Sequence, residues 1–397
     1  MRRLDLKKAQ AARSNTIRDI NRQIVLNYVR EREPISRAEI SRKTALQRST
    51  ISTIIDGLRD DGMIEEVGAG ESTGGRPPTL LRLRAAGAVA IGIDIALSRT
   101  VVATCDLAGR VLEQEEFLTN ASAEKTLAQA TARASALIEK HKGSIEGIGV
   151  SLPGLVDSAA GTAIYIPYFK WRELPVKRDL TAATGLPVIV DNDANAAALA
   201  ELWFGRPEIS DARDFIMLLV TAGIGTGIVF DGQVYKGMCG AAGEYGHMIV
   251  GSKAPIACSC GNYDCWEAFA SERAALARYS KESGQANNGN LGFAQLVERA
   301  LGGERAAQDA LTQTAYYLGV GIANLIVGSS PEAVIVSGAI VQAWPLIADA
   351  LHEGIERSAR RGLPPSRVVA STLGDQPTLM GALSLVLASK FASALAS

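Results

Sequence analysis

Nowhere in this chain of 397 residues is there an uninterrupted apolar run of the roughly 18 to 20 residues that a bilayer-spanning helix requires. The basic start, M-R-R-L-D-L-K-K-A-Q, is not followed by an apolar segment, so it does not read as a secretory signal. Cysteine is also scarce. There are five, an odd number, and Cys258, Cys260 and Cys265 fall within eight positions of one another. That fits a reducing, cytoplasmic setting with a metal site better than a secreted disulfide framework. Cys105 and Cys239 read as small buried apolar residues.

Net charge is nearly absent, −1 from 41 basic and 42 acidic side chains. The sum hides an asymmetry. Residues 1–84 carry 17 Lys and Arg against 11 Asp and Glu, which leaves 24 against 31 for the rest, so a head of net +6 precedes a body of net −7. A basic module on an acidic body points to nucleic acid. With 47% hydrophobic residues, the chain is globular and long enough for two or three domains.

In the head, Asn15 to Arg32 places Ile17, Ile20, Ile24 and Tyr28 at helical spacing, which predicts a core-facing stripe. Ser36 followed by Glu39 forms a capping box for a short second helix. After a turn at Thr44, Ala45 and Leu46, the residues Ile51, Ile54, Ile55 and Leu58 mark a third helix that stops at Gly62. Two short helices with a tight turn match a helix-turn-helix whose second helix enters the major groove. Gln47, Arg48, Ser49 and Thr50 stand nearest the base edges, with Ser52 and Thr53 also off the apolar face. A plain three-helix bundle is the bland alternative, and the charge excess and the wing weigh against it. Met63 to Val67 and Leu80 to Arg84 alternate as the two strands of that wing, and Arg76 in their loop suits a minor groove or phosphate as well as it suits open solvent.

The body begins with A-V-A-I-G-I-D-I-A and a hairpin, then a helix from about Ala123 to Lys140. The strand L-P-V-I-V-D-N-D delivers Asp191, Asn192 and Asp193 to its C-terminal end, where open α/β sheets place ligand groups. Asp193 also suits the N-cap of the Ala-rich helix that follows. Gly223, Gly225 and Gly227 predict a tight turn between strands, although any hairpin needs glycine for the same steric reason. A later strand, Ala333 to Ile340, lies between helices at about Gln308 to Val327 and Trp344 to Arg360. Two similar α/β halves are expected, without letter-by-letter repetition.

His247, Cys258, Cys260 and Cys265 form H-x10-C-x-C-x4-C, one imidazole and three thiols, a set that suits tetrahedral zinc. A disulfide, a cluster of free thiols or a redox pair are the competing readings; Cys258 and Cys260 are too close for an unstrained bridge. With all four ligands from protein, such a zinc (Zn2+) is structural. Glu244 and Glu267 flank the ligands and are expected to do the recognising rather than to stand as exposed loop charges.

Taken together, the winged helix, L-P-G-L-V-D, D-N-D-A-N, T-A-G-I-G-T-G, G-E-Y-G-H-M and C-S-C-G-N-Y-D-C-W-E resemble the ROK (repressor, open reading frame, kinase) family over essentially the whole chain. The resemblance implies an α/β architecture: an N-terminal winged helix-turn-helix (residues 1–84), then a two-lobed actin-like (ribonuclease H-like) fold. The small lobe spans 85–192 plus the C-terminal helix 380–397, and the large lobe spans 193–379. By the same similarity Asn192, Asp193, Glu244, His247 and Glu267 hold sugar hydroxyls, Gly154 lines the loop beside them, and Asp193 stands where the kinases keep their base. Tyr168 and Trp171 either pack on the sugar or fill the lobe.

The departure follows Asp94. The family's kinases carry a D-x-G-G-T turn that admits ATP phosphates, whereas this chain has D-I-A-L-S-R-T, with Ala96 and Leu97 in place of the glycines. Binding without catalysis is therefore expected: a sugar-responsive regulator, acting as a homodimer or dimer of dimers on operator DNA, with a small carbohydrate or sugar phosphate as effector and a sugar-transport protein as a further partner. An ATP-dependent sugar kinase with a DNA-binding head and a zinc sensor are the rival readings.

Overall fold

The computed structural model describes residues 14–70, 77–84, 88–141, 143–205, 212–284 and 291–391. The head is built from α1 (Ser14–Arg32), β1 (Ile35–Ser36), α2 (Arg37–Thr44), α3 (Arg48–Asp60), β2 (Ile64–Ala69) and β3 (Thr79–Leu83). The capping box forms as expected: the Ser36 hydroxyl accepts from Glu39 N at 3.3 Å, and the Glu39 carboxylate accepts from Ser36 N at 2.9 Å. Ala45 closes α2 in the left-handed region at φ 56°, and this sharp turn sends α3 off at an angle. The third-helix stripe Ile51, Ile54, Ile55 and Leu58 is buried. The wing is an antiparallel ribbon of β2 and β3, with β1 pairing on β3; Arg76 lies outside the described residues.

On α1 the structure corrects the expected stripe. Ile17 and Ile24 are 50% and 37% exposed, while Val25, Leu26 and Val29 are buried. A helix rich in branched residues offers more than one apolar stripe, and the one that wins here is wedged between the rest of the head and the body. The buried cluster is continuous across that junction, joining Val25, Leu58 and Leu81 to Leu383, Val386 and Phe391.

The body contains two five-stranded sheets of one design. The first uses β4 (Val89–Ile95), β5 (Arg99–Cys105), β6 (Val111–Leu118), β7 (Ile145–Leu152) and, farther on, β11 (Val188–Asn192). Its order is β11-β7-β4-β5-β6, antiparallel from β4 to β6 and parallel from β4 to β11. Between β6 and β7 runs α4 (Ala123–Lys140); between β7 and β11 come a small sheet of β8 (Leu155–Asp157), β9 (Thr162–Ile166) and β10 (Trp171–Leu174), and α5 (Val176–Thr184).

After α6 (Asp193–Phe204), the second sheet repeats the pattern with β12 (Phe215–Val220), β13 (Ile224–Phe230), β14 (Gln233–Tyr235), β15 (Ala333–Ser337) and β16 (Arg367–Ala370). The order β14-β13-β12-β15-β16 has the same senses as the first sheet. The internal repeat is thus visible in strand order and not in letters. Helices α7 (Trp266–Ala270), α8 (Glu272–Ser283), α9 (Phe293–Leu301), α10 (Arg305–Ser329) and α11 (Trp344–Ser358) cover the second sheet around Trp266, Phe269, Leu318 and Ile322. α10 is long and apolar enough to cross a membrane, but most of its apolar window is buried in this core.

The last helix, α12 (Pro377–Phe391), returns to pack on β4 and β7 of the first sheet and on α6. A side chain at Gly92 of β4 would meet Leu383 at 2.8 Å, so the strand is bare where the helix crosses. Gly227 does the same on β13, where a Cβ would collide with the Ala194 carbonyl and lie 2.6 Å from the Ala198 methyl. Gly225 and Gly227 therefore sit within β13 and not in the turn, and they let α6 settle on that strand. Only Gly223 belongs to the turn. Cys105 is buried as expected, whereas Cys239 is exposed, at φ 53° in a kinked 3-10 turn.

Candidate functional site

Between the two sheets opens a cleft of about 410 Å³. Its walls come from the ends of β4 and β11, the start of α6, the β12–β13 turn and the loop 240–247. The structure brings together here Gly154, Asn192, Asp193, Glu244, His247 and Glu267.

Asn192 is the N-cap of α6, a role the sequence pattern had offered to Asp193. Its Oδ1 accepts from Ala194 N at 2.9 Å and Asn195 N at 3.2 Å, and its Nδ2 donates to Gly154 O at 3.0 Å. Gly154 has φ 83°, and a Cβ there would lie 2.5 Å from Tyr165 O, so the loop admits no side chain. With its oxygen engaged, Asn192 keeps one amide hydrogen for a ligand. Its main work is to hold the Gly154 loop against α6.

Capping by Asn192 leaves Asp193 aimed at the cleft. Burial, reinforced by the charges of Asp94 and Glu244, pushes its carboxyl up to about 7 against the pull of the Ala194 N–H. Asp94 is buried at the end of β4, its carboxyl pushed up to about 6 by burial although Thr378 Oγ1 donates to it at 2.7 Å. The turn after it presents Ala96 and Leu97 to the cleft.

Glu267 is 7% exposed, not a loop charge. Its Oε1 accepts from Ser259 Oγ at 3.1 Å and from Cys258 Sγ at 3.0 Å. Glu244 remains half exposed, with Oε2 at 3.5 Å from His247 Nε2. Loss of solvent in the cleft raises its carboxyl, His247 acting against this and Glu267 with it.

The other face of His247 meets the thiols. Nδ1 lies 3.3 Å from Cys258 Sγ, Cys258 Sγ lies 3.2 Å from Cys260 Sγ, and Cys260 Sγ lies 3.8 Å from Cys265 Sγ. All four ligand atoms fall within 4.8 Å of one another. Sulfur–sulfur separations around a tetrahedral zinc with Zn–S of about 2.3 Å come to about 3.8 Å, so the donor set and its spacing fit a metal ion. Burial raises the thiols of Cys258 and Cys265, so a cation is what would favour their thiolate forms.

The two aromatics part company. Trp171 is buried, stacks on Phe169 and donates Nε1–H to Ala121 O at 2.6 Å, filling the lobe. Tyr168 is 58% exposed and lines the cleft. Sequence reasoning missed Glu272, Arg273 and Thr378 of the cleft. Glu272 follows Ser271, the cap of α8, and burial pushes its carboxyl up to about 7. No local pattern marks it. Also unforeseen is Lys236, whose Nζ lies 2.6 Å from the buried Asp191 carboxylate and so ties the second half of the body to β11.

In the head, Gln47, Arg48, Ser49 and Thr53 are exposed, and Thr50 and Ser52 are partly so, along the start of α3. Arg59 and Arg37 are instead engaged by Asp56 and Glu66, which leaves Arg48 as the basic group at the leading end.

A family model described as "ROK family" matches residues 90–389. The xylose repressor of Bacillus subtilis (strain 168) is 30% identical over 376 residues, covering 94% of this chain and 96% of its own. A crystal structure of a ROK family transcriptional regulator, a homologue of the E. coli MLC protein, superposes with TM-score 0.79 at 27% identity over 95% of this chain and 97% of that one. A ROK family glucokinase from Streptomyces griseus, solved with glucose and AMPPNP, superposes with TM-score 0.68 at 29% identity, but over 75% of this chain and 98% of its own.

Proposed function

The chain belongs to the ROK family, and we propose that within it this protein is a sugar-responsive DNA-binding transcriptional regulator of carbohydrate uptake or catabolism genes, acting as a repressor. The observation that carries the reading is one chain joining a winged helix to a cleft walled by Asp193, Glu244, His247 and Glu267. The repressor relative matches head and body alike, while the glucokinase leaves a quarter of this chain unmatched.

In this reading Asp193, Glu244 and Glu267 accept sugar hydroxyls, Asn192 and Gly154 shape the floor, and His247 offers Nε2–H. The cleft favours an uncharged sugar over a sugar phosphate. Asp94, Asp193, Glu244, Glu267, Glu272 and Asp375 face it, against Arg99, Arg273 and His247, and Arg99 is already paired with Glu116 at 3.1 Å. A phosphate dianion would meet net repulsion. Zinc, held by His247 Nδ1 and the thiolates of Cys258, Cys260 and Cys265, would supply a fixed clamp with no open coordination position. It would keep Glu267 and the His247 loop in register.

Gln47, Arg48, Ser49, Thr50, Ser52, Thr53 and, from the wing, Arg76 are the DNA-contacting set, and two heads of a homodimer or dimer of dimers would address a palindromic operator. Cytoplasmic location and capture by a sugar-transport protein complete the proposal, with domain limits at residues 84 and 192.

A kinase is the second reading, favoured by Asp193, whose elevated pKa suits a general base near neutrality. Ala96 and Leu97 weigh against it, because side chains stand where backbone would cradle phosphates. The test is a thermal-shift panel of D-xylose, D-glucose, N-acetyl-D-glucosamine and their phosphate esters, run beside an ATP-coupled turnover assay. A free aldose should raise the melting temperature by mass action. Turnover that disappears in Asp193→Asn would establish the kinase instead.

A further inference from the structure

Two helices leave the cleft in the same direction and end beneath the head. α6 starts at Asp193 and finishes at Trp203 and Phe204; α12 starts beside Thr378, which holds Asp94, and finishes at Phe391. They touch in the half nearer the cleft, where a Cβ on Gly381 would lie 2.5 Å from the carbonyl carbon of Ala196. α6 is seated on β12 and β13 of the second sheet and α12 on β4 and β7 of the first. Each half of the body therefore has one helix running from the cleft to the head, about 18 and 22 Å long at 1.5 Å per residue.

At the far ends α1 spans both. The Arg30 guanidinium lies 4.3 Å from the centre of the Trp203 ring and 5.3 Å from that of Phe391, and it donates to Trp203 O at 3.3 Å. The two rings are 5.7 Å apart. One turn earlier, Asn27 Nδ2 donates to Phe391 O at 2.9 Å. The joint is buried yet incompletely satisfied: Gln23 Oε1, Arg30 Nε and Trp203 Nε1 have no hydrogen-bond partner among the described residues. Unsatisfied buried polar atoms weaken a contact, so this docking is easier to exchange than a wholly apolar one.

We propose that Arg30 is a positioning residue for the sugar response: seated across the C-terminal ends of α6 and α12, it sets the head by the relative placement of the two helices, so that a change in the cleft is read at the DNA. The proposal rests on the carbohydrate reading above. A sugar bonded to Asp193 and Glu244 on one side and to the Gly154 loop on the other fixes one half of the body against the other. Any shift is carried to the far ends by helices too well packed to bend. The guanidinium stacks on both rings at once, so their displacement changes its seat and the angle of α1. Coupling of this kind exists only if the ligand binds the two arrangements unequally.

The experiment uses the full chain, a duplex that the wild type selects from a random-sequence library, and D-xylose and D-glucose as probes. Melting temperature reports the cleft, and duplex affinity with and without sugar reports the coupling. In the wild type a sugar should raise the melting temperature and change duplex affinity by about 10-fold or more. Arg30→Ala and Asn27→Ala should keep the melting-temperature rise while the change in affinity shrinks to about 2-fold or less, and Arg30→Lys should fall between. Asn27→Ala removes one hydrogen bond across the joint, to Phe391 O, and one within α1, to Gln23 O, so it answers the question even if Arg30→Ala abolishes duplex binding. Variants that respond as the wild type does overturn the relay alone. A wild type whose melting temperature neither sugar raises overturns the carbohydrate reading for these probes and the relay with it.

Discussion

Gly223 makes room for Glu267: a Cβ at Gly223 would lie 2.8 Å from Glu267 Oε2. The same carboxylate accepts from Ser259 and Cys258, so the β12–β13 turn and the cysteine loop meet through one buried side chain. Gly223→Ala should push Glu267 off this position. The expected outcome is an aldose Kd raised about 10-fold or more, equivalent to about 1.4 kcal/mol, with bound metal per chain unchanged. Calorimetric titration and elemental analysis measure the two quantities separately.

The four-ligand cluster predicts one zinc per chain. Cys265→Ala should remove it, because three remaining ligands do not close a tetrahedral structural site. The melting temperature should fall by about 3 °C or more, and a chelator should reproduce the loss in the wild type. Full metal content in Cys265→Ala would rule out this ligand set.

Ala45 holds φ 56° between α2 and α3, a conformation that costs a residue bearing a Cβ about 1–2 kcal/mol. Ala45→Gly should therefore stabilise the head by about 1 kcal/mol, offset in part by the greater freedom of the unfolded glycine. Chemical denaturation followed by far-ultraviolet dichroism would register it, and an unchanged or lowered midpoint would contradict the strain argument.

Glu272 carries a carboxyl pushed up to about 7 by burial from an ordinary value of 4.5. Its folded-state pKa lies above the unfolded one, so between those values the native state binds the extra proton. Stability from this group falls as pH rises through that window. Glu272→Gln should match the wild type near pH 4 and exceed it at pH 8 by about 1–3 kcal/mol. Melting curves across pH would show the two proteins diverging upward; parallel curves would mean the side chain is solvated.

Much of the site was readable in the chain because its chemistry is local. His247, Cys258, Cys260 and Cys265 lie within nineteen positions, and their types and spacing suit a metal. Asn192 and Asp193 follow an apolar strand, so the pair was found, but their division of labour was not. Either residue can cap a helix, and the cap here is Asn192, whose amide is also held by the Gly154 carbonyl from a distant loop. Glu272 and Thr378 come from segments with no pattern of their own, and they become cleft residues only when the second sheet and α12 close on the first.

The α1 helix marks the same limit. Its amphipathic character was legible, its buried face was not, because Val25, Leu26 and Val29 join a cluster that includes Leu58 and Leu81 of the head and, more than 300 residues away, Leu383 of α12. The sequence by itself determined the head's helices, the strands, the candidate metal-ligand set and the absence of glycine after Asp94, since each depends on residue type and short-range spacing. Only the tertiary structure decided that α6 and α12 run from the cleft to Arg30. That relationship is set by packing between segments that share no local signal, and packing is what joins a pocket to a DNA-binding head.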